Sequence, residues 1–479
     1  MKREVLRIER VTREENGIVY LNDLSLWIGG GEILGMIATN QHGMDRLIEL
    51  ISDNVPIKYG QVYFEGELVN DYIRGGSGNN RVCIIDNRIR LVPGLTVTDN
   101  IFVLRKGFKK YVINSRVLEQ QVQMILNDLG FRIRADMLVE GLTPYERCVI
   151  ELVKAMISGV KLIVLHDIGA MIGYADLQNF YKLITHYKSQ GITFLYIGNH
   201  HEDVFKICTR FVMYESGRIK KILYSDEMDD EHIKPFVQPI KESALPRRDG
   251  SSPVMTLQNV SSGSICDFSC QIFAGECLTI LDKDHSVLYD FVDLFMKRKK
   301  HKRHQKERVL LIPEDPVNRY LFLDQSYLYN LCFQVDRKIG RSILPAKVKK
   351  SIAKEWQEEI GTYLNADTLR NIPIEARYDL IFYRIILYRP QIVLMIQPFS
   401  GADMYLRIHI ANLITKLKAQ GIAVVVLTTY VADTLAVTDQ MVLVENGRRV
   451  TGKSMLDSQF IKDNYYKSRF VDKTMRDDL

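Results

Sequence analysis

LITHYKSQGITFLYIGN (183–199) returns as LITKLKAQGIAVVVLTT (413–429), with Gly191 answered by Gly421. Each copy leads into an acidic, apolar stretch and then into VMYESGRI (212–219) or VLVENGRR (442–449), where Gly217 and Gly447 keep the same offset of 230. Upstream, GEILGMIA (31–38) pairs with GECLTILD (275–282) at an offset of 244. Self-similarity on this scale means two copies of one kind of domain. The second copy is shorter, by the difference between those two offsets, somewhere between the matched segments.

Each copy contains short continuous apolar runs: EILGMIA, KLIVLH and TFLYIG in the first, ECLTIL, QIVLM and AVVVL in the second. Runs of this length between glycines or polar residues suit strands buried on both faces, and so a mainly parallel sheet flanked by helices. SRVLEQQVQMILNDLG (115–130) and AKVKKSIAKEWQEEIGTYL (346–364) carry the apolar spacing of helices between those strands. QPIKESALPRRDGSSP (238–253) is rich in Pro, Ser and charge and reads as a linker. The expected architecture is therefore two α/β domains, 1–237 and 254–455, joined by 238–253 and followed by a tail, 456–479.

The 479 residues are 46% hydrophobic and 25% charged, which supports two cored domains and argues against long disorder. No run approaches the roughly 18 apolar residues of a membrane helix. The start, MKREVLRIERV, lacks the apolar centre of a signal peptide, so a cytoplasmic location is expected. Seven cysteines (83, 148, 208, 266, 270, 277, 332) show no paired Cys-x-x-Cys spacing, and the closest two, Cys266 and Cys270, have no second pair or nearby histidine to complete a zinc site. Reduced thiols are expected, and no metal site.

The order of elements resembles the tandem ATP-binding-cassette subunits of ribose/galactose-type sugar importers. GGGEILGMI (29–37) is similar to that family's approach to the phosphate loop, IIDNRIRLVPGLTVTDNIFV (84–103) to its glutamine-loop segment, and EGLTPYERCVIELVKAM (140–156) to its signature helix. In the second copy IPEDPVNRYLFLDQSYLYNL (312–331) and QPFSGAD (397–403) resemble the family's corresponding segments. The resemblance implies two P-loop-type cassettes with helical subdomains, ATP and Mg²⁺ as cofactors, and a membrane permease as partner.

The residues of the implied chemistry are largely replaced. A phosphate loop needs Gly, four residues, Gly-Lys, then Ser or Thr: backbone N–H groups cradle phosphate, the lysine meets its oxygens and the hydroxyl binds Mg²⁺. The first copy reads Ala38-Thr39-Asn40-Gln41-His42-Gly43-Met44-Asp45, which keeps Gly43 but puts Met44 at the lysine position and Asp45 at the hydroxyl position. A lost charge-assisted hydrogen bond costs about 1.5–3 kcal/mol. A carboxylate about 4 Å from phosphate adds up to roughly 4 kcal/mol of repulsion. Together these exceed the ~4 kcal/mol between micromolar and millimolar affinity. ATP/Mg²⁺ binding is therefore expected to be weak or lost.

Elsewhere the resemblance places Asn87 at the glutamine-loop position and His166-Asp167 after the Walker B strand, with Asp167 as a shortened catalytic carboxylate. It places Asn199 at the switch histidine, with His200 next to it. Either a slip of one position lets His200 serve or the histidines merely end a strand. Thr143 stands at the signature serine, and Tyr145 at a position where a small residue lets backbone approach phosphate, so an obstruction is expected there. The aromatic that would stack on adenine falls at Glu15. The second loop, Asp282-Lys283-Asp284-His285-Ser286-Val287-Leu288-Tyr289, has no glycine and puts two carboxylates where phosphates would sit. Ile396 and Gln397 take its Walker B positions, and NIPIEARYD (371–379) keeps no signature serine or glycine. Since cassettes of this family pair head to tail, the resemblance implies that both composite sites are damaged. Gly452-Lys453-Ser454 follows the last strand pattern, lacks the earlier glycine and is a chance match.

LVPGLTVTDNIFV (91–103) keeps the family pattern. It either lies near the surface that grips the permease or simply forms a loop and helix start, with Thr98 or Asp99 as N-cap. The basic run 297–306, KRKKHKRHQK, is either a solvated loop or a contact for an anionic partner. It has no aromatic interleaving, which argues against nucleic acid. The replacements point to a pseudo-ATPase, and the resemblance implies that it is attached to a sugar import system at the inner face of the membrane, with a permease or a regulatory protein as partner. A working energising subunit with atypical motifs is the second reading, and a nucleic-acid-associated cassette protein a weaker third.

Overall fold

The structure is a computed structural model that describes residues 4–76, 78–86, 90–102, 114–199, 201–233, 252–284, 287–297, 309–333, 335, 344–429, 434 and 436–450. The chain divides into two compact units, Met1–Gln238 and Pro239–Leu479.

In the first unit, β1 (Glu4–Glu15), β2 (Ile18–Gly29), β4 (Tyr59–Phe64) and β5 (Glu67–Asp71) form an antiparallel sheet in the order β2-β1-β4-β5. A second sheet comprises β3 (Ile33–Ala38), β6 (Val82–Ile85), β7 (Leu162–His166), β8 (Thr193–Gly198), β9 (Arg210–Glu215) and β10 (Arg218–Tyr224). Its order is β10-β9-β3-β8-β7-β6, and all its pairings are parallel except β9 with β10. Alternate residues of β3 enter different cores: Ile33 and Ile37 pack with the helical region, Leu34 and Met36 with the antiparallel sheet and the helix Met44–Asp53. That two-sided burial is why the strand reads as an unbroken apolar run.

The second unit repeats the plan. Its main sheet comprises β13 (Cys277–Asp282), β14 (Val309–Ile312), β15 (Ile392–Ile396), β16 (Ala423–Thr428), β17 (Gln440–Glu445) and β18 (Arg448–Arg449), in the order β14-β15-β16-β13-β17-β18. Only β17 with β18 is antiparallel. Its antiparallel sheet is reduced, among the described residues, to β11 (Met255–Ser262) and β12 (Ile265–Ile272). The hairpins differ in length. Both close in a two-residue turn, Asn16-Gly17 between Glu15 and Ile18 and Gly263-Ser264 between Ser262 and Ile265, but the strands are twelve residues each in the first hairpin and eight in the second.

The segment after β6 corrects the expected cap. The helix Val97–Phe102 is capped by Thr96, whose hydroxyl accepts the Asp99 N–H at 3.1 Å and donates to the Asp99 carboxylate at 2.8 Å. Thr98 instead donates to the Ala135 carbonyl at 2.9 Å, inside the core. Asn100, fully buried, accepts the Val92 N–H at 2.7 Å and donates to the carbonyls of Val92 and Thr96. In the second unit Ser326 caps the equivalent helix, and Asn330 repeats the buried network with Phe322 and Ser326. These bonds give the retained pattern a structural role in its own right. No helix of the described residues is long and apolar enough to cross a membrane.

Candidate nucleotide site

In each unit the loop leaving the central strand is tied to the hairpin at the sheet edge by matching bonds. In the first, the Thr39 N–H donates to the Tyr214 carbonyl at 2.9 Å, and the Asn40 carboxamide accepts the Ser216 N–H at 3.0 Å. In the second, the Lys283 N–H donates to the Val444 carbonyl at 3.1 Å, and the Asp284 carboxylate accepts the Asn446 N–H at 2.7 Å. Asn22 N–H to Gly217 carbonyl (3.0 Å) and Cys266 N–H to Gly447 carbonyl (2.8 Å) add one more matching tie. The backbone approach is so close that a Cβ on Gly217 or Gly447 would lie 2.3 or 1.9 Å from the carbonyl oxygen of Tyr20 or Ser264.

What the loops present differs. In the first unit Gly43 has a left-handed backbone (φ 79°) and leads into the helix Met44–Asp53. Met44, at the lysine position, is only 1% exposed and packs in the core with Leu47 and Ile51. Asp45 is exposed in the first turn. His42 stacks on Tyr20 (ring centroids 5.4 Å apart, planes at 16°), donates through Nε2 to the Val19 carbonyl at 2.8 Å, and has its own carbonyl bonded by the Tyr214 hydroxyl at 2.8 Å. Glu15, at the expected adenine-stacking position, forms ion pairs with Arg13 (2.5 Å) and Arg46 (3.0 Å).

In the second unit one of the two expected carboxylates sits at the helix start and the other does not. Asp282, fully buried, accepts the Val287 and Leu288 N–H groups at 2.7 and 3.1 Å at the head of the helix Leu288–Lys297. Asp284 is turned to the hairpin, and Lys283 pairs with Glu445 at 2.5 Å. The residue type of Asp282 was legible in the sequence, but its role as a cap from within the strand was not.

The turn after the Walker B strand is the same in both units. Asp167 (φ 56°) donates its N–H to Ile197, and Gln397 (φ 41°) donates its N–H to Leu427. The left-handed backbone persists while the side chain changes from acid to amide. Asn199 is half-buried at the end of β8. Asn87, His200, most of the linker 238–253, the basic run beyond Lys297 and the tail lie outside the described residues.

Thr143 caps the helix Pro144–Ile157 through a full capping box: its hydroxyl accepts the Glu146 N–H and the Glu146 carboxylate accepts the Thr143 N–H. The hydroxyl is thus committed to the helix. Tyr145 is half-buried against Phe131 (5.8 Å between centroids), and burial, followed by the Asp176 charge, pushes its hydroxyl up to about 12. Further along the same helix, Glu151 is buried, accepts the Arg90 N–H at 3.3 Å, and is raised to about 7, chiefly by burial. Sequence reasoning passed over it because helical spacing alone does not distinguish a buried acid from a surface one. The cysteines are free thiols, with Cys266 exposed. Among the described residues no group of three or more His, Cys, Asp or Glu could hold a metal.

Two layered α/β units, each with a strand-to-helix loop bound to a hairpin at the sheet edge, give the chain the fold of two tandem ATP-binding cassettes. Its curated homologues over about 93% of its length are ribose import ATP-binding proteins. It is 23% identical over 476 residues to the ribose import ATP-binding protein RbsA of Clostridium perfringens (93% of this chain, 94% of the relative). It is 20% identical over 492 residues to RbsA 2 of Rhizobium meliloti (96% and 95%). In fold it matches the archaeal ribosome recycling factor aABCE1, solved with the stalk protein aP1, at a TM-score of 0.60 and 13% identity (92% of this chain, 89% of that one). No family model matches the chain.

Proposed function

We propose that this chain is the cassette subunit of a carbohydrate importer, bound peripherally to a membrane permease on its cytoplasmic side, and that it serves a structural or regulatory role without turning over ATP. The homologues' names support the transport context. The observation that carries the loss of turnover is Met44: the side chain at the phosphate-lysine position is packed into the core and brings no charge to the loop. A second reading, an energising subunit with altered motifs, draws on Gly43 and Asp167, which keep a left-handed loop residue and a carboxylate in the first unit.

Calorimetry with ATP and Mg²⁺, and phosphate release by the purified chain with and without membranes carrying a co-expressed permease, decide between them. No turnover is expected in either condition. Release above roughly 0.1 per second, about two orders of magnitude below a median enzyme, would establish the second reading.

A further inference from the structure

We infer that the second unit is self-liganded: the Asp282 carboxylate occupies the place of a bound phosphate at the head of the helix Leu288–Lys297 and ties the end of β13 to that helix without nucleotide. The inference rests on the cassette reading of the second loop, and not on whether the first unit hydrolyses ATP.

The first N–H groups of a helix have no partner within it, and the helix dipole makes them an anion site. Here that site is filled from inside the protein. Asp282 is the last residue of β13 and is 0% exposed. One carboxylate oxygen accepts from Val287 and Leu288 (2.7 and 3.1 Å), and the other accepts the Asp284 N–H at 3.3 Å. The strand fixes one end of this contact and the helix the other. The two residues after Asp282 are tied to β17 and its turn by the Lys283–Val444 and Asp284–Asn446 bonds. A buried charge persists only where hydrogen bonds replace its water, and three N–H groups do so here. An incoming phosphate would have to displace a like-charged group that the fold itself holds in place.

The first unit shows that the carboxylate is not a requirement of the fold. Its equivalent strand end is Ala38, and the N–H that opens its helix, on Met44, donates instead to the Gln41 carbonyl at 3.1 Å. The two helices have the same length, ten residues each. The second starts on the carboxylate of its own strand end.

The test uses the full chain and two variants, Asp282→Asn and Asp282→Ala, with amide hydrogen exchange read at Val287 and Leu288. In the unmodified protein these amides are expected to be protected to the same degree with and without inorganic phosphate or Mg-ATP. Asp282→Asn keeps the shape but loses the charge, so exchange there is expected to speed up about 10–100-fold. In Asp282→Ala the emptied cradle is expected to take inorganic phosphate at tens of millimolar, regaining protection and thermal midpoint. Unchanged exchange in Asp282→Asn overturns the inference. So does protection of the unmodified protein that grows with added phosphate, or a folded Asp282→Ala chain that ignores phosphate. Should Asp282→Ala fail to fold, the asparagine variant decides. Phosphate release by the unmodified protein would overturn the proposed function and leave these exchange rates untouched, so the two failures are distinguishable.

Discussion

The loop after β3 and the loop after β13 are bound to their hairpins by the same bonds, yet they place different groups at the helix start. The first keeps Gly43, stacks His42 on Tyr20 and sends Met44 into the core. The second has Val287 where Gly43 stands and fills the helix head with Asp282. The ties from strand end to hairpin are thus shared by the two units, while the groups placed at the helix start differ. Substitutions that exchange features between the units test how far that difference extends.

The largest effect is expected for Gly43→Ala. Its left-handed backbone disfavours any Cβ by about 1–2 kcal/mol. The added atom would also lie 2.0 Å from the Tyr20 carbonyl oxygen and 2.7 Å from the Tyr214 hydroxyl. A loss of about 3 kcal/mol or more is expected for the first unit. The chain has two tryptophans, Trp27 and Trp356, one in each unit, so denaturant unfolding followed by Trp27 fluorescence in a Trp356→Phe background reads the first unit alone. A cost under about 1 kcal/mol would show that the loop does not approach Tyr20 as described.

Met44→Lys restores the residue a phosphate loop requires, but at a side chain that is 1% exposed. Burying an unpaired ammonium is expected to cost about 3 kcal/mol by the same fluorescence assay. Calorimetry should show no gain in ATP binding. Recovered binding at unchanged stability would mean that the side chain can turn outward.

Glu151 tests the helix beneath. Its counterpart in the second unit, at the offset that relates Gly191 to Gly421, is Ile381, fully buried. The folded-state value of Glu151 is raised from 4.5 to about 7, first by burial. A raised value means the folded state favours the protonated acid. Its contribution is therefore fully present below pH 4.5 and is lost as pH rises through about 7. Glu151→Gln should stabilise the first unit by about 2–3 kcal/mol at pH 8 and have little effect at pH 4. A pH-independent effect would place the carboxyl in water.

Thr143 and Pro373 hold the same cap position in the two units, but only Thr143 makes a side-chain cap bond. Thr143→Ala should cost about 1 kcal/mol in thermal unfolding. A neutral result would mean that the proline at the next position suffices. At the small end, the exposed Arg370–Asp324 pair should be silent: Arg370→Ala is expected to leave the melting temperature unchanged.

The fold was legible because continuous apolar runs and paired glycines are local signals that survive divergence: Gly217 and Gly447 recur where a Cβ would strike backbone. The replacements at Met44, Asp45 and Gln397 were equally plain. Side-chain direction was not. Nothing in DKDHSVL says that Asp282 turns in to cap a helix while Asp284 turns to the hairpin, because that depends on β17 and its turn, far along the chain. The helix cap at Thr96 was misplaced for a related reason. Thr98 and Asp99 are as good caps by type, and only the Ala135 carbonyl, supplied by a later segment, draws Thr98 inward.

The strand order of the first sheet sets a timetable for synthesis. β3, near the start of the chain, has as neighbours only β8 and β9, whose residues lie between 193 and 215. At about 5–20 residues per second, a ribosome leaves this fully apolar strand without a partner for on the order of ten seconds. β13 repeats the delay with β16 and β17. Each unit therefore passes through a long interval in which a central, buried strand is accessible to chaperones and to other nascent chains, until the strands that flank it emerge.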